Sequence, residues 1–114
     1  GIPAVTGDPR IPVLSLHGLG DLFVPFSMEQ AYAWRTLLHG QRGLFVSRAI
    51  RSTAHCDFTQ AELQRGFDDL VRWVDTGHRP AGDPVLLPPV VARPTFGCRF
   101  TDGPHANFSA PACP

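Results

Sequence analysis

Ile11-Pro12-Val13-Leu14-Ser15-Leu16-His17-Gly18-Leu19-Gly20-Asp21-Leu22-Phe23-Val24-Pro25 is the stretch whose reading decides the fold. Ile11 to Leu16 is a nearly continuous apolar run, the pattern of a strand buried on both faces of a parallel sheet. Gly18 and Gly20 let the chain turn sharply beyond it, and Val24-Pro25 fixes the exit. Asp21 thus stands just past the C-terminal end of a strand, where open α/β sheets place their functional groups.

Working outward, Ser27-Met28-Glu29-Gln30 predicts a helix start, with Ser27 as N-cap and Gln30 closing a capping box. Ala31, Trp34, Leu37 and Leu38 follow at helical spacing, and Gly40 ends the element. Leu44-Phe45-Val46 opens a second strand running to about Ile50. Thr59-Gln60-Ala61-Glu62 is a second capping box, followed by an apolar stripe of Leu63, Phe67, Leu70, Val71 and Val74. Gly77 sits where a left-handed cap belongs, and Pro80 prevents continuation.

The order is strand, helix, strand, helix, which predicts an α/β arrangement over residues 1–78 with two parallel strands. Residues 79–114 read as an irregular Pro/Gly-rich tail. So few elements cannot cover both faces of a parallel sheet, so much of the core is expected from elsewhere.

The chain has 114 residues, 43% hydrophobic and 18% charged, with formal net charge zero. That is the common size of one domain, and a neutral surface gives no reason to expect nucleic acid or anionic membrane as a partner. No apolar run approaches the roughly 20 residues that span a bilayer. The N-terminus shows no basic region followed by a hydrophobic core, hence no signal peptide, and the missing initiator methionine points to trimming from something longer. All ten basic residues are arginine. The three cysteines are an odd count; Cys98 and Cys113 bracket much of the tail, where a disulfide is the expected clamp, implying a secreted or extracytoplasmic location. Cys56 is then left over.

The second strand ends near Ile50, and its loop offers His55 just before the Thr59 cap. Adjacent parallel strands would bring this loop beside that of Asp21. In triad chemistry a carboxylate holds one ring nitrogen of a histidine while the other takes the nucleophile's proton. Against this stands the plain reading of each residue alone: Asp21 as a turn residue and His55 as a surface or filler histidine. Their placement on successive strand ends, acid first, favours the pair.

The segment from about Ile11 to Val74 resembles the C-terminal portion of an α/β-hydrolase. The acid motif of that family, His-Gly-x-x-Asp-x-x-Val-Pro, is matched by His17-Gly18-Leu19-Gly20-Asp21-Leu22-Phe23-Val24-Pro25. The histidine loop, Gly-His-x-x-Phe in the family, corresponds to Ala54-His55-Cys56-Asp57-Phe58, with Ala54 in place of glycine. The resemblance implies Asp21 and His55 as catalytic acid and histidine, with the nucleophilic serine and the oxyanion hole upstream of Gly1. Leu22, Phe23 and Phe58 flank the site and would line an apolar acyl or alkyl pocket, or serve simply as core residues.

No Gly-x-Ser-x-Gly elbow occurs in the chain. Ser15 lies mid-strand, Ser27 is assigned to a cap, Ser52 is near His55 but not in an elbow, and Ser47 and Ser109 lack supporting context. Cys56 adjoins His55 directly, and neighbouring side chains ordinarily diverge. His17, His39, His55, His78 and His105 show no metal-ligand spacing with the cysteines, so no metal or cofactor is expected. Asn107-Phe108-Ser109 fits a glycosylation acceptor.

These observations predict the C-terminal chain or fragment of a serine hydrolase cleaving carboxylic esters, its serine carried by an N-terminal segment or second chain of the same enzyme. Two alternatives remain open: a self-sufficient small esterase assembled by oligomerisation, and a non-catalytic interaction module.

Overall fold

The computed structural model describes residues 5–105 and 113–114. It is a small mixed α/β unit. Strand β1 (Val13–Gly18) leads into helix α1 (Phe26–Leu38), a single 3-10 turn (Arg42–Leu44), strand β2 (Phe45–Ile50), helix α2 (Gln60–Thr76) and a short helix α3 (Pro88–Val91). The strands pair in parallel from Val13↔Phe45 to Gly18↔Ile50. The first strand therefore begins two residues later than its apolar run: Pro12 has no N–H to give a ladder, and pairing starts where β2 starts.

The second helix is capped as its sequence predicts. The Thr59 side chain accepts from the Glu62 N–H, the Glu62 side chain accepts from the Thr59 N–H, and Gly77 closes the helix at φ 73°. The first helix is not. Its N-cap is Pro25, whose backbone (φ −57°, ψ 147°) supplies the extended entry, and no side chain caps the end. Ser27 lies within the first turn and is exposed. Proline's ring fixes φ and so sets the boundary two residues before the hydroxyl that looked like a cap.

The helices meet the sheet through unexpected faces. Helix α1 buries Glu29, Ala33 and Thr36, and α2 buries Glu62, Gly66 and Trp73. Gly66 faces β1 across the helix–sheet seam, where a Cβ would make ordinary contact with Leu16 at 3.5 Å and Leu14 at 3.6 Å. The apolar stripe of α2 points away: Leu63, Phe67, Val71 and Val74 are all exposed, as are Trp34, Leu37 and Leu38 on α1.

Part of the core comes from the tail. Val85 and Phe96 join Ala33, Phe45 and Ala49 in one buried cluster, with Val13, Leu19, Phe26 and Tyr32 packed against it. The tail also occupies the outer edge of β2. The Asp83 N–H donates to the Ser47 carbonyl at 2.7 Å, and the Ala49 N–H donates to Asp83 Oδ2 at 2.8 Å. With β1 on its other edge, every residue of β2 is buried. Burial pushes the Asp83 carboxyl pKa up, against the opposing Ala49 N–H and the charges of Arg99 and Arg48.

Two arginines bind the tail to the strands. Arg48 is buried, pairs with Asp69 on α2 at 2.6 Å, donates to the Ala81 carbonyl, and lies over the Phe100 ring at 4.2 Å. Arg51 donates to the Pro94 carbonyl at 2.8 Å. The expected Cys98–Cys113 disulfide is present, and Cys56 is free and exposed. The Asn107-Phe108-Ser109 sequon lies outside the described residues.

Candidate active site

The loops after β1 and β2 are stitched together where the strands end. The Leu19 N–H donates to the Ile50 carbonyl and the Gly20 N–H to the Ser52 carbonyl, both at 2.8 Å. Gly18 and Gly20 have no left-handed backbone; what they contribute is room. A Cβ on Gly18 would fall 2.6 Å from Ser52 Oγ, and one on Gly20 would fall 3.0 Å from both the Ser52 carbonyl oxygen and Thr53 Cα. At Gly20 two backbones pass at contact distance, while at Gly18 the close neighbour is the Ser52 hydroxyl; neither position is set by the turn's own dihedral angles.

This approach brings Asp21 and His55 together. Asp21 is buried and uses both oxygens. Oδ1 accepts from the N–H groups of Phe23 at 2.9 Å and Val24 at 3.0 Å, and Oδ2 lies 2.7 Å from His55 Nδ1. The Val24 N–H, then the imidazole of His55, hold the carboxyl pKa below the usual carboxylate range, against a smaller opposing effect of burial. An ionised carboxylate only accepts, so Nδ1 carries the hydrogen and Nε2 is left as the acceptor. His55 is half-exposed, with the Phe23 ring edge-on at 6.0 Å between centroids. The pair has the geometry of an oriented general base.

Polar side chains behind the acid loop steady it. His17 Nε2 donates to the Val24 carbonyl at 2.7 Å, and His17 Nδ1 lies 3.3 Å from Glu29 Oε2. Glu29 is buried against the sheet and accepts from Ser15 Oγ at 3.0 Å and Ser47 Oγ at 2.8 Å. Both serines are thus engaged in supporting the acid loop, away from the imidazole. Ser52 is fully buried beneath Gly18.

Of the residues expected to line an acyl pocket, Leu22 and Phe23 are strongly exposed on the acid turn and Phe58 is half-buried. Cys56 departs from expectation. It adopts φ 54°, a left-handed conformation unusual for a side-chain-bearing residue, and its Sγ comes back to 3.5 Å from His55 Nε2. Neighbouring side chains diverge in extended or helical backbone, and this φ removes that constraint.

His105 also went unassigned in the sequence. Its buried ring bridges two carboxylates, with Nε2 2.8 Å from Glu62 Oε2 and Nδ1 3.2 Å from Asp57 Oδ2. Burial opposes charge on this imidazole, but its bonds to Glu62 and Asp57 outweigh it and raise the pKa. The tail is thereby tied to the loop that carries His55. Among the described residues no group of three or more His, Cys, Asp or Glu side chains could hold a metal ion.

The unit is therefore a mixed α/β arrangement with a carboxylate–imidazole pair at two adjacent strand ends. Over 80 residues, 70% of the chain, its sequence is 36% identical to an o-phthalyl amidase of Xanthobacter agilis. That stretch is 18% of the amidase, so the chain spans less than a fifth of the length of this relative. The likeness is to part of a protein whose name is that of a hydrolase. No protein-family profile and no solved structure matches the chain.

Proposed function

We propose that this chain is the acid–histidine portion of a hydrolase that cleaves carboxylic esters or amides, with its serine nucleophile on a segment outside residues 1–114. The observation that carries this reading is the 2.7 Å contact between Asp21 Oδ2 and His55 Nδ1, which leaves Nε2 of a half-exposed ring as the acceptor. Asp21 fixes the imidazole tautomer and stabilises the imidazolium; His55 accepts the serine proton and returns it to the leaving alcohol or amine. Similarity to part of an amidase supports hydrolysis of an acyl bond and extends the substrate class from esters to amides. Leu22, Phe23 and Phe58 line the apolar side of the substrate.

The remaining segment of the enzyme is the partner, covering the exposed stripes of α1 and α2 and extending the sheet from β1. These faces expose Phe67, Trp34 and Leu63 on a unit of this size, which favours a covering surface over a free one. No described helix is long and apolar enough to cross a membrane. With the Cys98–Cys113 disulfide, this supports a secreted or extracytoplasmic site of action.

A fluorophosphonate probe followed by peptide mass spectrometry on the full-length protein tests the reading. The label is expected on a serine outside residues 1–114, and His55→Ala should slow labelling by roughly 10⁴-fold. Labelling that is indifferent to His55 would overturn the proposal. A labelled serine within this chain would instead support a self-sufficient esterase.

A further inference from the structure

A cavity of about 510 Å³ opens beside the start of β2, between α1 and the tail. Trp34 and Leu37 of α1, Phe45 of β2, and Leu86 and Leu87 of the tail form its apolar wall. Its charged residues are Arg42, Arg79 and Asp83, two positive against one negative. We propose that this cavity is a second ligand site, one that binds a small organic carboxylate, its apolar body against Trp34 and Leu86 and its anionic head on Arg42 and Arg79.

The two guanidinium groups have no counter-ion. Every Asp and Glu of the chain lies among the described residues, and none stands within ion-pair distance of Arg42 or Arg79. Arg79 Nη2 donates to the Phe45 carbonyl at 2.7 Å and lies 3.4 Å from the Arg42 carbonyl, which holds the group at the cavity. A guanidinium has five N–H donors, so Nε and Nη1 remain for a ligand. The Arg42 side chain makes no hydrogen bond among the described residues. Partial burial, and then the charge of Arg42, push the Arg79 pKa down. A bound anion would relieve that repulsion and accept from both groups, the charge-assisted pairing that guanidinium forms best.

Asp83 does not fill this role. Its carboxylate accepts from the Ala49 N–H at 2.8 Å, and the cations acting on it are Arg99 and Arg48. The lining is left with one positive charge in excess, which suits a carboxylate better than a phosphate monoester of nearly two charges. Small-molecule cavities run from roughly 300 to 1,000 Å³ and are mostly apolar with a few fixed polar groups, as here. Trp34 offers an aromatic face for the body of the ligand. The site is separate from Asp21 and His55. Arg42 precedes β2 and His55 follows it, so roughly 17 Å of strand intervenes. The segment proposed to complete the domain extends the sheet from β1, whereas the cavity lies on the β2 side.

Irradiation of the full-length protein with para-benzoylbenzoate, a photoreactive aromatic carboxylate, followed by peptide mass spectrometry, tests the proposal. The adduct is expected on peptides carrying Trp34 and Leu37 or Leu86 and Leu87, and excess hydrocinnamate should compete it away. The neutral analogue para-(hydroxymethyl)benzophenone should label these peptides on the order of tenfold less. Arg42→Gln breaks no described side-chain bond and should lower carboxylate labelling to the same level, while Arg42→Lys should keep most of it. Equal labelling by the two reagents would reveal an apolar surface without anion recognition and overturn the proposal. So would undiminished labelling of Arg42→Gln, or carboxylate adducts only elsewhere, as when a segment of the enzyme itself fills the cavity. These reagents report on neither Asp21 nor His55. The hydrolase reading stands or falls separately, on fluorophosphonate labelling of a serine.

Discussion

Asp21 Oδ2 and His55 Nδ1 lie 2.7 Å apart although their loops leave different strands, and the other Asp21 oxygen is held by the N–H groups of Phe23 and Val24. The carboxylate is thus fixed at both oxygens and can orient the imidazole without moving. Asp21→Asn keeps the shape but offers an amide whose nitrogen cannot accept from Nδ1–H. The variant should fold, yet labelling of the full-length enzyme by a fluorophosphonate should fall by roughly 10⁴-fold, as in triads whose acid is neutralised. Equal labelling rates for wild type and variant would remove Asp21 from the mechanism.

The close passage of the two loops makes a second prediction. Gly20→Ala would place a methyl group 3.0 Å from the Ser52 carbonyl oxygen and Thr53 Cα, both backbone atoms that cannot swing aside. It should cost about 1–3 kcal/mol by overpacking and lengthen the Asp21–His55 contact. Gly43→Ala is the matched control, because a Cβ there meets nothing within 4 Å and its backbone is not left-handed. Urea melts should separate the two variants clearly; similar midpoints would mean the loops are not held as described.

How far the sequence reaches is best judged from individual residues. The Thr59–Glu62 box and the Gly77 cap were legible because each is closed within a few residues of chain. The pairing of Asp21 with His55 was legible because parallel neighbouring strands bring their C-terminal loops side by side. Ser27 misled because Pro25 supplied the helix entry through backbone alone. The tail has no periodicity to read, since its attachments are single long-range contacts, such as Arg48 to the Ala81 carbonyl and the Asp83 N–H to the Ser47 carbonyl. The Cys56 contact depends on one left-handed φ at a residue other than glycine, a conformation that residue type does not announce.

Two groups should govern stability at opposite ends of the pH scale. Asp21 has a lowered pKa when folded, through the Val24 N–H and His55. Its contribution is present above the unfolded value, about 3.9 for a free aspartate, and is lost as pH falls below that through the folded value. His105 has a raised pKa when folded, its bonds to Glu62 and Asp57 outweighing its burial. Its contribution is complete below about 6.5 and is lost as pH rises through the higher folded value. Thermal melts should therefore decline toward both strong acid and mild alkali, and His105→Gln should flatten only the alkaline limb. An unchanged alkaline limb in that variant would show that His105 is not the titrating group.

Glu62 is where the helix cap and the tail meet. Its buried carboxylate accepts from the Thr59 N–H at 2.8 Å, the Asp102 N–H at 2.9 Å and His105 Nε2 at 2.8 Å. Thr59→Ala removes the hydroxyl that accepts from the Glu62 N–H and donates to the Asp102 carbonyl at 2.9 Å, and should cost about 1–2 kcal/mol. Glu62→Gln keeps the size but turns an NH2 group toward one of three donors and withdraws the charge facing His105. Hydrogen bonds to charged groups contribute about 1.5–3 kcal/mol each, so this variant should lose more than Thr59→Ala does, despite changing fewer atoms. The excess should be greatest in mild acid, where His105 is charged, and should shrink as pH rises. Chemical denaturation of both variants across that range measures it. An excess independent of pH would mean that no charge on His105 answers Glu62, which would then hold the tail through the Asp102 N–H alone.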